Sequence, residues 1–328
     1  MRILVLGGSG FVGRAVADDA IARGHDVTVL NRGTRDPVPG ATLLVGDRTA
    51  PGGLAALGSG TWDAVVDTWS ADGAVVGAAA AALSGRAGHY TYVSSRSVYH
   101  YDETGAAPPL TEDAPLVAAD DPGYAGDKLR GEHGAARFAG PVLLARAGLI
   151  LGPREDVGRL PWWLSRLARG GPVVAPGPPD LPLQYIDARD LAAFVLDAAA
   201  AGLGGPCNVV GRSGDATMGS LLATACAVTG DRAQLRWIAP DVLERAGAEP
   251  WTELPIWLPP GPLHAFMHRG DVTRALAAGL RCRPLAATVA DTWAWMTSLG
   301  GPIPQRADRA RAGLPADKEA RLLAAPVS

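Results

Sequence analysis

The chain has 328 residues and a mass of 33.7 kDa, which suits one large α/β unit or two smaller lobes. Apolar residues make up 48% of the sequence, and its 42 glycines and 27 prolines are dispersed among apolar runs, which excludes collagen-like sequence and global disorder. A net charge of −3 without a basic stripe excludes nucleic acid as an expected partner.

The first 150 residues alternate short apolar runs with helical stretches, a pattern typical of βαβ units and a parallel sheet. Residues 3–6 form a continuous apolar run, as expected of a strand that is buried on both faces. We predict further strands at residues 27–30, 42–45, 64–67, 90–93 and 142–145, and helices at residues 11–23, 73–84 and 121–138.

The periodicity weakens after Gly152, although strands and helices still alternate. We predict helices at residues 160–169, 188–201, 218–228 and 286–299, and strands at residues 183–186, 207–210 and 234–238. Residues 250–262 form a predicted loop rich in proline and tryptophan, and residues 315–324 a short helix near the end. The whole pattern predicts an α/β fold with a doubly wound parallel sheet.

A glycine-rich turn joins the first predicted strand to the first helix. Its residues are Gly7, Ser9, Gly10, Phe11, Val12 and Gly13. Glycines at this spacing allow a tight turn, close approach of the backbone to a pyrophosphate, and close packing of helix on strand. Free N–H groups and the helix dipole then face the phosphates. The position between strand and helix favours a dinucleotide site over an ordinary tight turn.

The end of the second predicted strand indicates which dinucleotide is bound. NAD-binding proteins usually place an acid here for the ribose 2′-hydroxyl, whereas this chain has Asn31 and Arg32, with Arg35 close by. Arginines suit a 2′-phosphate, so we predict NADP, with NAD as the alternative. Three further candidate cofactor contacts follow later strands: Asp47, Arg48 and Asp67. Asp47 is either a partner of the adenine amino group or an ordinary turn aspartate.

Tyr124 and Lys128 stand one helical turn apart and therefore share a face of the predicted helix. An ordinary phenol is a poor acid or base at neutral pH, but a nearby ammonium favours its phenolate form. Ser95 follows the predicted strand at residues 90–93, where side chains face the ligand crevice of open α/β sheets. We expect Ser95 to hold a reacting carbonyl and Tyr124 to transfer its proton.

The glycine turn, Ser95 with Val98 and Tyr99, and Tyr124 with Lys128 together resemble the short-chain dehydrogenase/reductase superfamily. The similarity is closest to its extended and atypical branch, the NAD-dependent epimerase/dehydratase type, and covers about residues 1–300. Segments 144–153, 184–191 and 207–210 contribute to it. The resemblance implies a Rossmann-type fold, a nicotinamide cofactor held also by Tyr124 and Lys128, and a catalytic triad of Ser95, Tyr124 and Lys128.

This interpretation divides the chain into three parts. We expect a dinucleotide-binding core over residues 1–150 with returning segments near 183–212, a smaller substrate lobe mainly over 151–300, and a tail over 301–328. The residues expected to face the substrate are Trp69, Ser95, Arg96, Arg154 and Trp251.

Several of these candidates have alternatives. Trp69 stands where the family commonly has small residues, and we expect it to narrow the pocket. Trp251 lies in an apolar stretch that is either a lid over the substrate or a hydrophobic hinge between lobes. Arg146 and Arg154 flank a Gly-Pro turn and either grip an acidic substrate or form surface ion pairs.

The sequence thus predicts an NADP(H)-dependent oxidoreductase that reduces a carbonyl, or oxidises an alcohol, on a small metabolite. One alternative is an NAD(P)-dependent epimerase or dehydratase of a sugar or sugar nucleotide, although the second lobe offers few cations for a diphosphate. Another is a non-catalytic cofactor-binding protein.

Composition and residue spacing also allow predictions about metal binding, membrane association and cellular location. The three cysteines are far apart, and His264 and His268 lack a third ligand at zinc spacing, so we expect no metal site. The longest alanine-rich stretch is far shorter than a membrane span, and the first residues lack the regions of a signal peptide. We therefore expect a cytoplasmic enzyme without a membrane partner. The resemblance also makes a homodimer possible.

Overall fold

A computed structural model of the chain describes residues 1–103, 110–307 and 309–324. Its strands are β1 (Arg2–Leu6), β2 (Asp26–Asn31), β3 (Thr42–Val45), β4 (Trp62–Asp67), β5 (Ala87–Ser95), β6 (Val142–Ala147), β7 (Leu149–Leu151), β8 (Gly171–Pro176), β9 (Pro182–Leu183), β10 (Tyr185–Asp187), β11 (Gly205–Val209), β12 (Ala216–Thr217), β13 (Ala233–Ile238), β14 (Pro250–Trp251) and β15 (Leu254–Pro255). Its helices are α1 (Phe11–Ala22), α2 (Gly73–Leu83), α3 (Tyr124–Ala135), α4 (Arg159–Ala168), α5 (Ala188–Ala200), α6 (Met218–Val228), α7 (Pro240–Arg245), α8 (Pro262–His268), α9 (Thr273–Ala277), α10 (Leu285–Ser298) and α11 (Ala316–Ala324).

Seven parallel strands form the central sheet in the order β3-β2-β1-β4-β5-β6-β11. The chain starts in the middle, winds to one edge, and then crosses back to build the other half, which is the doubly wound order of a Rossmann-type fold. The predicted fold class is therefore confirmed. The last predicted sheet strand also lies where expected, because β11 pairs in parallel with β6.

Helices cover both faces of this sheet. Ile3 and Val5 of β1 pack towards the layer that contains α1 and α5, whereas Leu4 and Leu6 pack towards the layer of α2 and α3. Alternate residues of a strand point to opposite faces, so a strand covered on both sides must be apolar throughout. This requirement explains the continuous apolar run at residues 3–6.

A second hydrophobic core lies outside the sheet, around α4, α6, α10 and the parallel pair of β8 with β13. Trp163 and Trp257 are buried in it, and their indole N–H groups donate to the backbone oxygens of Pro255 and Gly177. The final helix α11 packs on β8. Ile303, Leu314, Leu322 and Leu323 also pack against this core.

One predicted strand is interrupted in the structure, and the predicted loop at residues 250–262 contains β14, β15 and the first residue of α8. The strand expected at residues 183–186 is interrupted at Gln184, whose backbone N–H donates to Nδ1 of His268 instead of to a sheet partner. The strand β8, which contains two prolines, was not predicted. The prolines are tolerated because, among the described residues, β8 pairs only with β13, so one edge of the strand needs no backbone N–H donors.

Candidate active site

A cavity of about 410 Å³ opens where the carboxyl ends of the central strands meet. Residues that follow β1, β4, β5 and β6 line it, together with residues from α8 and from the chain after α10. Ligands of open α/β sheets bind in this position. The cavity is therefore the candidate active site.

The glycine turn forms one wall of the cavity. Gly7 has a φ of +96°, and a Cβ there would meet Oγ1 of Thr68 at 2.6 Å. A Cβ on Gly13 would lie 2.5 Å from the backbone oxygen of Gly7. A Cβ on Gly10, by contrast, would meet no protein atom closer than 3.8 Å. Gly10 caps α1 without a side chain, so the first N–H groups of this helix remain available to an anion. The turn therefore fits a dinucleotide pyrophosphate.

The arginines predicted for the 2′-phosphate take different positions. Arg35 lines the cavity and donates to the backbone oxygen of Ser9 at 3.4 Å. Arg32 is exposed and does not line the cavity. Oδ1 of Asn31 accepts from the backbone N–H of Gly33 at 2.7 Å, so no carboxylate stands at the end of β2.

The other predicted cofactor residues are held by contacts within the protein. Oδ1 of Asp47 accepts hydrogen bonds from the backbone and hydroxyl of Thr49, which lower the pKa of Asp47. Arg48 donates to both carboxylate oxygens of Asp67 at 2.7 and 2.6 Å, and Tyr90 donates to Asp67 as well. Burial opposes ionisation of Asp67, but the Arg48 guanidinium keeps its pKa below the ordinary value. The geometry thus gives Asp47 a turn role and Arg48 and Asp67 a buried ion pair.

Ser95, Tyr124 and Lys128 all line the cavity. Ser95 ends β5, and its Oγ accepts from the backbone N–H of Ser97 at 3.1 Å, which fixes the short turn that follows the strand. Tyr124 is the first residue of α3 and is 38% exposed. The structure therefore brings together the three residues that the sequence predicts as catalytic.

Lys128 is buried beneath this group, and two of its N–H groups have partners. Nζ donates to the backbone oxygen of Val93 at 2.6 Å and to that of Trp69 at 2.9 Å. Burial lowers its pKa to about 7, because a charged amine is costly in a site of low polarity. An ammonium has three donors, which leaves one for a ligand.

A buried polar network that the sequence did not reveal supports the trio. Ser94 donates to Oε1 of Glu132 at 2.6 Å, and Arg146 donates to both oxygens of Glu132 at 2.9 and 2.8 Å. Arg146 also donates to the hydroxyl of Tyr99, which in turn donates to Asn208. Arg146 is therefore neither a substrate grip nor a surface residue. The available signal was Glu132, four residues after Lys128 and hence on the same buried face of α3.

The predicted substrate residues divide into two groups. Arg96 and Trp251 line the cavity, whereas Trp69 and Arg154 do not. Arg96 is buried and donates to Oε1 of Gln184 and to the backbone oxygens of Phe266 and Met267, so it fastens α8 to the cavity wall.

The two tryptophans of the predicted tryptophan-rich loop take different positions. Trp251 lines the cavity, whereas Trp257 is 1% exposed and belongs to the second core.

Sequence reasoning missed three arginines in the cavity, Arg159, Arg306 and Arg309. Cζ of Arg159 lies 5.1 Å from the ring centroid of Trp251, and Cζ of Arg309 lies 5.2 Å from that of Tyr124. The expectation that few cations are available is therefore wrong. Only the arginine-rich composition after residue 300 could have suggested Arg306 and Arg309.

Neither a metal site nor a membrane span is found in the part of the chain that the structure describes. No three His, Cys, Asp or Glu side chains are grouped so that they could hold a metal ion. None of the helices there combines the length and hydropathy required to cross a bilayer.

The chain resembles known proteins both in sequence and in fold. Residues 3–211 match the sequence profile described as the NAD dependent epimerase/dehydratase family. No curated protein sequence matches the chain. Among solved structures, the Bordetella bronchiseptica enzyme WbmH in complex with NAD+ has a TM-score of 0.68 at 19% identity, over 92% of this chain and 99% of that chain.

Two further structures share the fold. The Thermus thermophilus UDP-glucose 4-epimerase complex with NAD has a TM-score of 0.64 at 20% identity, over 90% of this chain and 99% of that chain. The human epimerase family protein SDR39U1 with NADPH has a TM-score of 0.59 at 22% identity, over 90% of this chain and 99% of that chain.

Proposed function

Because the chain belongs to the NAD dependent epimerase/dehydratase family, we propose that it catalyses nicotinamide-dependent hydride transfer at a carbonyl or hydroxyl-bearing carbon of a small metabolite. The observation that carries this proposal is the convergence of Ser95, Tyr124 and Lys128 on one cavity with an uncapped glycine turn. The NAD+ and NADPH complexes of structural neighbours support the cofactor class.

Each residue has a distinct part in this reaction. When bound, the nicotinamide ring supplies the hydride chemistry. The hydroxyl of Ser95 donates a hydrogen bond to the substrate oxygen, and the hydroxyl of Tyr124 gives that oxygen a proton in reduction or, as phenolate, takes one in oxidation. The remaining N–H of Lys128 holds the nicotinamide ribose, and its Nζ lies 6.0 Å from the ring centroid of Tyr124.

We propose NADP(H) as the preferred cofactor. Support comes from Arg35 in the cavity and from Asn31, whose neutral side chain occupies the position of the usual acid. Fluorescence titration with NADPH and NADH tests this choice. We expect Arg35→Ala to weaken NADPH binding about tenfold and NADH binding less than twofold, since one charge-assisted contact contributes about 1.5–3 kcal/mol. Equal loss for both cofactors would contradict the assignment to the 2′-phosphate.

Two net reactions remain open for this site. A reductase or dehydrogenase exchanges its cofactor in each cycle, whereas an epimerase or dehydratase returns the hydride to the same substrate. The arginines at the cavity favour an epimerase or dehydratase, because they supply partners for anionic sugar derivatives. Absorbance of tightly held cofactor in the purified protein would support an epimerase or dehydratase, and free exchange would support a reductase.

The central experiment compares Tyr124→Phe with the wild type and with the control Tyr101→Phe, a tyrosine that does not line the cavity. A carbonyl panel with NADPH and NADH, and NMR detection of epimerisation or dehydration on a sugar and sugar-nucleotide panel, provide the readouts. We expect Tyr124→Phe to lower kcat at least 100-fold, as is typical for loss of a positioned acid or base, with cofactor affinity retained. Undiminished turnover would overturn the proposal. Cofactor binding without turnover on either panel would favour the non-catalytic alternative.

Three further expectations accompany this function. We propose a cytoplasmic location, a homodimer, and a division into a cofactor lobe and a smaller substrate lobe. Separate hydrophobic cores on the sheet and around α4 support the division. Light scattering of the purified protein tests the dimer, and a monomer at assay concentration would exclude it.

A further inference from the structure

Two guanidinium groups in the cavity stack on aromatic rings instead of pairing with carboxylates. Arg159 lies over Trp251 and Arg309 lies over Tyr124. Within residues 1–103, 110–307 and 309–324, neither guanidinium lies within salt-bridge distance of a carboxylate, although the charge of the buried Glu155 attracts Arg159 from further away. A guanidinium that lies over a ring keeps its planar fork of N–H donors for two oxygens of a carboxylate or a phosphate.

The charge of the cavity wall is strongly one-sided. Among the described residues that line it, the cationic ones are Arg35, Arg96, Lys128, Arg159, Arg306 and Arg309, and the carboxylate is Asp156. Asp156 faces Arg35, on the side of the glycine turn, at 3.5 Å. Burial lowers the pKa of Arg159, so this cation is held at a cost in its free state. Such a cost is offset when an anion binds.

Backbone hydrogen bonds on both sides of Arg309 hold the segment that contains it. The backbone N–H of Arg306 donates to the oxygen of Asp156, and that of Gly313 donates to the oxygen of Thr252. Further along, α11 is fixed by a buried ion pair between Glu319 and Arg166. Arg306, Arg309, Gly313 and Glu319 lie beyond the 3–211 segment that matches the family profile. The tail of this chain therefore adds a cation to the site.

The position of Arg309 limits where the anion can lie. Its guanidinium contacts the ring of Tyr124, whose hydroxyl is the proposed proton donor. An anion bound there is adjacent to the carbon that reacts, whereas the glycine turn, at the other side of the cavity, is suited to the cofactor pyrophosphate. This separation distinguishes a substrate anion from a cofactor phosphate.

We propose that Arg309 and Arg159 form an anion-binding subsite, and that the substrate carries a carboxylate or phosphate close to its reacting carbon. This inference rests on the proposed function, because it identifies the substrate class of the same site. Substrates whose reacting carbon has only neutral groups around it would leave both guanidiniums without a partner.

Calorimetric titration of the protein saturated with NADP+ tests the subsite without any turnover. The probes are malonate, inorganic phosphate and the neutral malonamide. We expect one of the anions to bind and malonamide not to bind. Arg309→Gln and Arg159→Gln should weaken the binding of that anion at least tenfold, whereas the control Arg311→Gln, an exposed arginine of the same tail outside the cavity, should leave it unchanged. The tighter of the two anions identifies the group that the substrate carries.

Other outcomes would overturn the subsite. These are equal binding of malonate and malonamide, wild-type affinity in both cavity variants, or no binding of either anion. A loss of NADP+ affinity in Arg309→Gln would assign this arginine to the cofactor instead. Failure of the proposed function has a different signature, because it would appear as absent binding of both NADP+ and NAD+ or as absent turnover, both measured separately.

Discussion

Nζ of Lys128 lies 2.6 Å from the backbone oxygen of Val93 and donates a hydrogen bond to it. This contact joins α3, which carries Tyr124, to β5, which ends at Ser95. The relative position of the three catalytic candidates therefore depends on a bond between a side chain and the main chain. A conservative change of Lys128 should affect folding as well as catalysis.

Burial makes Lys128 a source of pH-dependent stability. Its pKa falls from an ordinary 10.5 in the unfolded chain to about 7 in the folded protein. Between these values the unfolded state binds a proton that the folded state does not, so the free energy of unfolding should rise from pH 7 to pH 10. Urea denaturation at several pH values should show this rise in the wild type.

In Lys128→Met, the rise between pH 7 and pH 10 should be largely absent. The matched control is Lys318→Met, which removes an ion pair with Glu253 but leaves the buried amine in place. That control should keep the wild-type slope at a lower overall stability. An unchanged slope in Lys128→Met would contradict the lowered pKa.

Two glycines of the cofactor turn should respond differently to an added methyl group. In Gly13→Ala the Cβ would lie 2.5 Å from the backbone oxygen of Gly7, so helix and turn must separate. We expect this variant to lose about 1–3 kcal/mol of stability and most of its dinucleotide affinity. Gly10→Ala has room within the protein but lines the cavity. It should retain its Tm and lose affinity at least tenfold, and a loss of stability there would contradict this interpretation.

Replacing only one partner of the buried ion pair between Glu132 and Arg146 should destabilise the folded protein. Either Glu132→Leu or Arg146→Met leaves an uncompensated group that is about 96% buried, and such changes typically cost about 3–5 kcal/mol. The double variant Glu132→Leu with Arg146→Met should be less destabilised than the sum of the single changes. Chemical denaturation of all variants completes the cycle, and strict additivity would show that the pair is not coupled.

Tyr90 and Tyr92 provide a comparison between two buried hydroxyl groups on β5. Tyr90 donates to Asp67 at 2.6 Å, whereas the hydroxyl of Tyr92 has no partner among the described residues. Tyr90→Phe removes one of the hydrogen-bond donors of the buried Asp67, so it should lower the free energy of unfolding by about 1–3 kcal/mol. Tyr92→Phe should be neutral or slightly stabilising in thermal unfolding. A large loss in Tyr92→Phe would indicate a partner that this geometry does not contain.

Local patterns in the sequence were sufficient for the fold and for the catalytic trio. Apolar runs and helical spacing predicted the strands of the sheet, because a strand covered on both faces must be apolar throughout. The glycine spacing predicted the turn before α1, because only glycine tolerates the approach of Gly13 to Gly7. Tyr124 and Lys128 could be paired in advance, because residues four apart share a helix face.

Contacts between distant segments could be assigned only from the tertiary structure. Arg48 and Asp67 were both expected at the cofactor, yet they pair with each other across adjacent parts of the fold. Arg309 lies near the C-terminal end of the sequence, yet its Cζ is 5.2 Å from the ring centroid of Tyr124. The physical reason is that charge and hydrogen-bonding capacity can be read from composition, but the partner of a charged group is decided by where packing brings the chain.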